Sequence, residues 1–265
     1  MTAVLPGAAP AAGPDRGQVI GVPVNVGSMA TVAQEILRQA RRRVGGYVCV
    51  ANVHMLVEAR RDGGLREVME RAAVVASDGM PLVWCLRRHG FEHAGQVRGP
   101  ELMIRLCEAA AAEDMPVYFY GGDDELMAAL RATLQRQIPG LQIAGTDAAP
   151  MLPRRPAVDD AAVERIRASG ARLVFVGLGC PKQEFWMAAH RPRLDAVMIG
   201  VGQAFGIAAG LLPEAPAWMR RAGLEWLFRV ASEPRRLWRR YLVTNSLFIF
   251  FLLGEATSRL LRPSA

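Results

Sequence analysis

Short apolar runs, many of them β-branched, recur through the first two-thirds of the chain, and most end on glycine, asparagine or aspartate. They fall at residues 19–24, 47–50, 73–76, 117–120, 141–144, 173–176 and 196–199. Between them, segments such as 32–43, 100–112, 125–137 and 159–169 carry apolar residues at three- and four-residue spacing, the period of an amphipathic helix. Several runs are apolar without alternation, as strands covered on both faces are. The pattern predicts an α/β fold, a Rossmann-like and mostly parallel sheet with helices on both faces. Beyond Gly210 the strand pattern stops, and Pro213 and Pro216 open a helical tail.

In such folds ligands sit where the carboxyl ends of strands meet helix N-termini. The residues at those points are Asn52, Asp78-Gly79, Gly121-Gly122, the stretch 177–184, and the stretch 200–205. In the fourth of these, Gly177 and Gly179 permit a tight turn that a phosphate can approach. Pro181 suits the first turn of a helix, and Lys182 and Gln183 project from its start. The third glycine of a dinucleotide fingerprint would fall at Lys182, and no GK[ST] follows, so neither GxGxxG nor a P-loop is present. Asp78 before Gly79 reads, on local grounds, as the N-cap of a helix starting near Met80 or Pro81. Asn52 reads equally as a cap for a helix from Val53 or as a donor and acceptor for a hydroxyl. His54 has no second histidine at metal-ligand spacing and reads as structural.

Charge adds a second constraint. The net +7 is concentrated between residues 220 and 240, where seven arginines stand against Glu225 and Glu233, a local +5. Such a cluster seeks phosphate, on nucleic acid, anionic lipid or a diphosphate substrate. It is interleaved with Trp218, Trp226, Phe228, Trp238 and Tyr241, residues suited to an interface with one apolar side. The apolar stretch at 241–253, thirteen residues with Thr244 and Asn245 inside it, is too short to span a bilayer. Four scattered cysteines without CxxC spacing suit a reducing cytoplasm.

In chain order, Val50-Ala51-Asn52, Ser77-Asp78-Gly79, Val97-Arg98-Gly99-Pro100-Glu101-Leu102, Tyr120-Gly121-Gly122, and the run from Val176-Gly177-Leu178-Gly179 through Cys180-Pro181-Lys182-Gln183-Glu184 resemble the signature of the WecG/TagA/CpsF glycosyltransferase family. The resemblance continues through Gly200-Val201-Gly202, Ala215-Pro216-Ala217-Trp218, Gly223-Leu224-Glu225-Trp226-Leu227-Phe228-Arg229 and Glu233-Pro234-Arg235-Arg236-Leu237. It covers roughly residues 18–242, and order and spacing together make it specific. It implies transfer from a UDP-sugar, carrying N-acetylmannosamine, its uronic acid or glucose, to a polyprenyl-diphosphate-linked saccharide in cell-surface polysaccharide synthesis. It also implies inversion, no metal, no cofactor, and a basic C-terminal appendage that completes the site at the membrane.

With the resemblance, Asp78 becomes the expected general base, because inverting transfer needs one carboxylate to take the acceptor proton, and Asn52 its catalytic neighbour. Arg98, Gly99, Gly121, Gly122, Gly177, Gly179, Lys182, Gln183, Gly202 and Gln203 become the expected donor site. Arg229, Arg236 and Arg239 become guanidinium ligands for the diphosphate. Four positions depart from the family pattern: Val50 where a Thr is usual, Gln96 and Glu214 where Arg is usual, and Gly206 where Asp is usual.

The expected organisation is a flexible tail over 1–16, an α/β catalytic domain over 17–212, and a helical membrane-associating appendage over 213–265. The expected location is the inner face of the cytoplasmic membrane, at its anionic surface. The apolar tail calls for a cover, whether membrane, a second copy of the chain, or both. Two other readings compete. A nucleotide-dependent oxidoreductase is opposed by the missing GxGxxG. A nucleic-acid-binding protein is opposed by the apolar tail and the lack of any recognition motif.

Overall fold

The computed structural model describes residues 15–260; residues 1–14 of the expected N-terminal tail lie outside them. The chain begins with a hairpin of β1 (Arg16–Val19) and β2 (Val22–Asn25). The 19–24 run was expected as one strand and is instead broken in the middle. Ile20 and Gly21 have φ of 47° and 71°, both positive, as a two-residue turn with the hairpin twist requires. The pair lies outside the main sheet. Periodicity alone could not show this, because buried Ile20 carries the apolar pattern straight through the turn.

After α1 (Met29–Arg42) come β3 (Gly46–Ala51), α2 (Val53–Arg61), α3 (Gly63–Arg71), β4 (Val74–Ser77), α4 (Met80–Arg88) and α5 (Gly99–Ala112). Next are β5 (Val117–Gly121), α6 (Asp124–Gln137), β6 (Ile143–Asp147), α7 (Asp160–Ala168), β7 (Leu173–Gly177), α8 (Lys182–His190), β8 (Val197–Gly200) and α9 (Ala204–Ala208). Among the described residues, six strands form one parallel sheet in the order β4-β3-β8-β7-β5-β6. The expected α/β architecture is therefore what the chain adopts.

Successive strand residues point to opposite faces, and the core divides accordingly. Cys49, Ala51, Val75, Tyr120, Val176 and Met198 face α2, α3, α7 and α8. Val48, Val50, Ala76, Phe119, Phe175 and Ile199 face α1, α5, α6 and α9. With both faces covered, the strands need no polar side, which is why their sequences lack alternation.

The chain ends in α10 (Ala217–Arg221), α11 (Glu225–Ser232) and the long α12 (Pro234–Leu260). α12 packs along α2, and Phe248 is buried within the first core cluster, with Leu247, Phe251 and Leu252 against it. No described helix is long and apolar enough to cross a membrane.

Candidate active site

Four adjacent strands, β4, β3, β8 and β7, end at one rim of the sheet, and a cavity of about 1180 Å³ opens above them. Each contributes the residues that follow it: Asp78 after β4, Asn52 after β3, Gly202 and Gln203 after β8, and Gly177, Gly179 and Gln183 at and beyond β7. The opposite wall comes from the last three helices, including Arg220, Glu225, Trp226, Arg229, Arg236 and Arg240.

Asp78 does not cap α4. That helix has Gly79 at its N-cap position and no side-chain cap bond. Instead, Asp78 Oδ1 accepts from the Gly99 N–H at 3.1 Å, at the start of α5, and Gln96 Nε2 donates to the Asp78 carbonyl at 2.7 Å. The carboxyl is half-buried on the cavity wall. Desolvation, aided by the negative charge of Glu225, pushes its pKa up to about 7 against the pull of Gly99, Arg98 and Arg229. A carboxylate poised there can take a proton near neutral pH.

Asn52 caps α2 through Oδ1, which accepts from Met55 N at 3.2 Å, and it also lines the cavity; its amide donors are not used by the cap. Beside it, His54 is held to a pKa of about 4 by burial and the Arg240 cation, so it is neutral.

The turn after β7 is built as its glycines suggested. Gly179 has φ of 76°, the Cys180–Pro181 peptide is cis, and Gly179 N donates to Gln183 Oε1 at 3.2 Å. Gln183 Nε2 donates in turn to Glu184 Oε1 at 2.8 Å. Glu184 is fully buried, and burial raises its pKa to about 7. Its Oε2 has no hydrogen-bond partner among the described residues.

Five expected site residues stand off the cavity wall. Gly121 and Gly122 follow β5, one strand beyond β7, and Gly121 instead lets its backbone approach Gly177: a Cβ there would come within 2.7 Å of the Gly177 carbonyl. Lys182 points toward Met151, its Nζ 3.9 Å from the sulfur. Arg239 is exposed on the outer side of α12, since Arg236 and Arg240, one turn apart, share the inner side.

Arg98, 3% exposed, is enclosed by three carboxylates: Glu101 at 2.7 Å, Glu214 at 2.8 Å and Glu225 at 2.9 Å. Burial alone would weaken its charge, but these carboxylates raise its pKa well above the usual value. Arg98 thus ties the N-terminus of α5 to the tail, and the Gly99 amide that follows it holds Asp78.

Trp84, Arg88, Glu225, Trp226 and Arg240 line the cavity without having been expected there from sequence. Positions three and four residues after Arg236 are both its neighbours on a helix, so spacing alone could not choose between Arg239 and Arg240. Among the described residues, Arg229 and Arg240 form no ion pair, whereas Arg220 is held by Glu214 and Arg236 by Glu233. Two guanidinium groups without a carboxylate partner, Arg229 and Arg240, the latter over the Tyr241 ring at 5.3 Å, therefore face the same space as the half-buried Asp78.

Comparison with known proteins agrees with this geometry. The model of the Glycosyl transferase WecG/TagA/CpsF family matches residues 17–262. The chain is 30% identical over 199 residues, 75% of each chain, to the N-acetylglucosaminyldiphosphoundecaprenol N-acetyl-beta-D-mannosaminyltransferase of Bacillus spizizenii. With a parallel sheet, a carboxylate at its carboxyl rim and a family match spanning both the sheet and the tail, the chain belongs to the WecG/TagA/CpsF family of glycosyltransferases.

Proposed function

We propose that this glycosyltransferase moves a sugar from a UDP-sugar to a saccharide carried on a polyprenyl diphosphate, with inversion and without a metal, in the synthesis of a cell-surface polysaccharide. The observation that carries the reading is the cavity in which Asp78 and the Gly177-to-Gln183 turn share one space with Arg229 and Arg240. At about 1180 Å³ it exceeds the usual range for a single small ligand, and a donor and an acceptor fit in it together. The Bacillus relative takes its name from an acceptor of this kind.

In the proposed reaction, an acceptor hydroxyl attacks the anomeric carbon from the face opposite UDP while the Asp78 carboxylate takes its proton. The anomeric C–O bond to the diphosphate breaks, and its electron pair goes to the departing phosphate oxygen. Arg229, Arg236 and Arg240 neutralise that oxygen's growing charge, a fixed electrostatic contribution of the kind that often dominates rate enhancement. Gln183, locked between Gly179 and Glu184, orients the nucleotide. Arg98 acts through position rather than contact.

The exposed face of α12, with Trp238, Leu242, Val243, Phe250 and Leu253 beyond Arg235 and Arg239, lies on anionic lipid at the inner face of the cytoplasmic membrane. The 213–265 segment thus serves as the membrane-associating appendage of the catalytic domain.

The test is a UDP-release assay across a panel of UDP-sugars, with polyprenyl-diphosphate-linked saccharides as acceptors. Acceptor-dependent release with at least one donor is expected. No release with any pairing, together with a spectroscopic response to NAD or NADP, would replace this reading with the oxidoreductase one.

A further inference from the structure

Two helices give the cavity a second compartment. Met80, Trp84 and Cys85 line it from one side of α4, and Leu237, Tyr241, Phe248 and Leu252 from one side of α12. Met80 and Trp84 are four residues apart, and Leu237, Tyr241, Phe248 and Leu252 follow at intervals of four, seven and four with Asn245 between the middle pair, so each set lies along one side of its helix. From Leu237 to Leu252 the α12 stripe runs about 22 Å, longer than the reacting centre around Asp78 requires.

The polarity of this compartment is graded. Arg236 and Arg240 stand at its inner end, beside the Asp78 compartment; no charged residue occurs on α12 between Tyr241 and Leu253, and on the α4 side Arg88 lines it beside Cys85. Toward its outer end, the pKa of the Cys85 thiol is raised by burial and by the charge of Glu255 on α12, against the pull of Arg88. Ile249 both lines the cavity and is 58% exposed. The compartment therefore opens onto the apolar outer face that Leu242, Phe250 and Leu253 continue.

From this geometry we infer that the groove between α4 and α12 is the binding site for the hydrocarbon chain of the lipid diphosphate acceptor. The inference rests on the acceptor reading given above and adds where the lipid lies. The order of the lining decides the occupant: Arg236 and Arg240 at one end, and beyond them an α12 stripe interrupted only by the neutral Asn245, match a diphosphate esterified to a long chain, with Arg88 beside Cys85 near the open end. The chain enters at Ile249 from the lipid phase, its first isoprene units pack between Trp84, Cys85, Phe248 and Leu252, and its diphosphate reaches Arg236 and Arg240. Asp78 then meets the sugar at the head of the acceptor. A groove continuous with the membrane-facing surface would let the enzyme take its acceptor without extracting the whole lipid into water.

Photolabelling of the full-length protein tests this without any turnover. Farnesyl diphosphate bearing a terminal benzophenone is bound, irradiated and mapped by peptide mass spectrometry. Adducts at Trp84, Cys85, Phe248 or Leu252, displaced by farnesyl diphosphate but not by equal phosphatidylglycerol, are expected. Adducts confined to Leu242, Phe250 and Leu253, or equal displacement by phosphatidylglycerol, would reduce the groove to general lipid contact and overturn the inference.

A second measurement uses Cys85→Trp, which fills the groove. It should raise the KM for a long-chain prenyl-diphosphate saccharide, relative to a short-alkyl diphosphate analogue, by about tenfold. An unchanged ratio counts against the groove. Should no acceptor be glycosylated from any donor, the transferase reading fails, while the labelling pattern still decides the groove.

Discussion

At Asp78 two neighbours work in opposite senses. The Gly99 amide stabilises the carboxylate, while burial and Glu225 disfavour it, and the outcome is a pKa of about 7. With Asp78 as the proposed base, activity should therefore rise with pH through neutrality as its carboxyl loses its proton. Glu225→Gln removes a negative charge, lowers the Asp78 pKa, and should move the acid limb of the kcat/KM profile to lower pH; a limb that stays or moves upward would contradict this. Asp78→Asn should cost about a hundred- to ten-thousandfold in kcat with the melting temperature retained, measured by UDP release.

Glu184 makes a separate prediction. Its raised pKa means the folded protein binds its proton more tightly than the unfolded chain does. Its contribution to stability is therefore present at acid pH and lost as pH rises toward about 7. Glu184→Gln should stabilise the protein by about 1–3 kcal/mol above neutral pH and by little at mildly acid pH. Thermal unfolding at the two pH values checks this, and equal differences at both would refute it.

Asp78 could be singled out from sequence, but its partner could not, because Gly99 is twenty-one residues away and nothing local links them. The departures from the family pattern also become intelligible. Gln96 holds the Asp78 carbonyl, Glu214 pairs with Arg98 and Arg220, and a Cβ on Gly206 would press into Leu212 at 2.6 Å.

Among the elements, the helices were legible from their period and the strands from short, wholly apolar runs that end near a glycine or a capping residue. Asp123, Asp159 and Asn52 cap α6, α7 and α2 with their side chains. What the sequence hid was contact between distant elements. The Arg98 cluster joins α5 to the segment before α10 and to the first residue of α11, over 116 and 127 residues. Removing one partner from a buried ion cluster leaves charges uncompensated. Arg98→Met should therefore destabilise the protein by about 3 kcal/mol. Hydrogen exchange should accelerate first across residues 214–232, and unaltered exchange there would show that the tail is held by other means.

For the whole molecule, α12 has two duties that its sequence does not separate. Phe248 is 5% exposed and belongs to the core, whereas its neighbours Ile249 and Phe250 are 58% and 68% exposed. Deleting the tail from residue 213 would thus uncover core as well as remove the proposed lipid contact. A surface variant is the cleaner probe. Phe250→Ser combined with Leu253→Ser should weaken binding to anionic vesicles by at least about tenfold without lowering the melting temperature. Added salt should weaken the remaining binding through Arg235 and Arg239.

At the far edge of the sheet, β4 would offer its backbone to any passing strand. β2 packs beside it, and Asn25 Oδ1 accepts from Val75 N at 2.6 Å, so a side chain rather than another strand occupies that amide. The small hairpin that periodicity failed to foresee thus covers the β4 edge of the sheet, where an incoming strand would otherwise find a free amide at Val75.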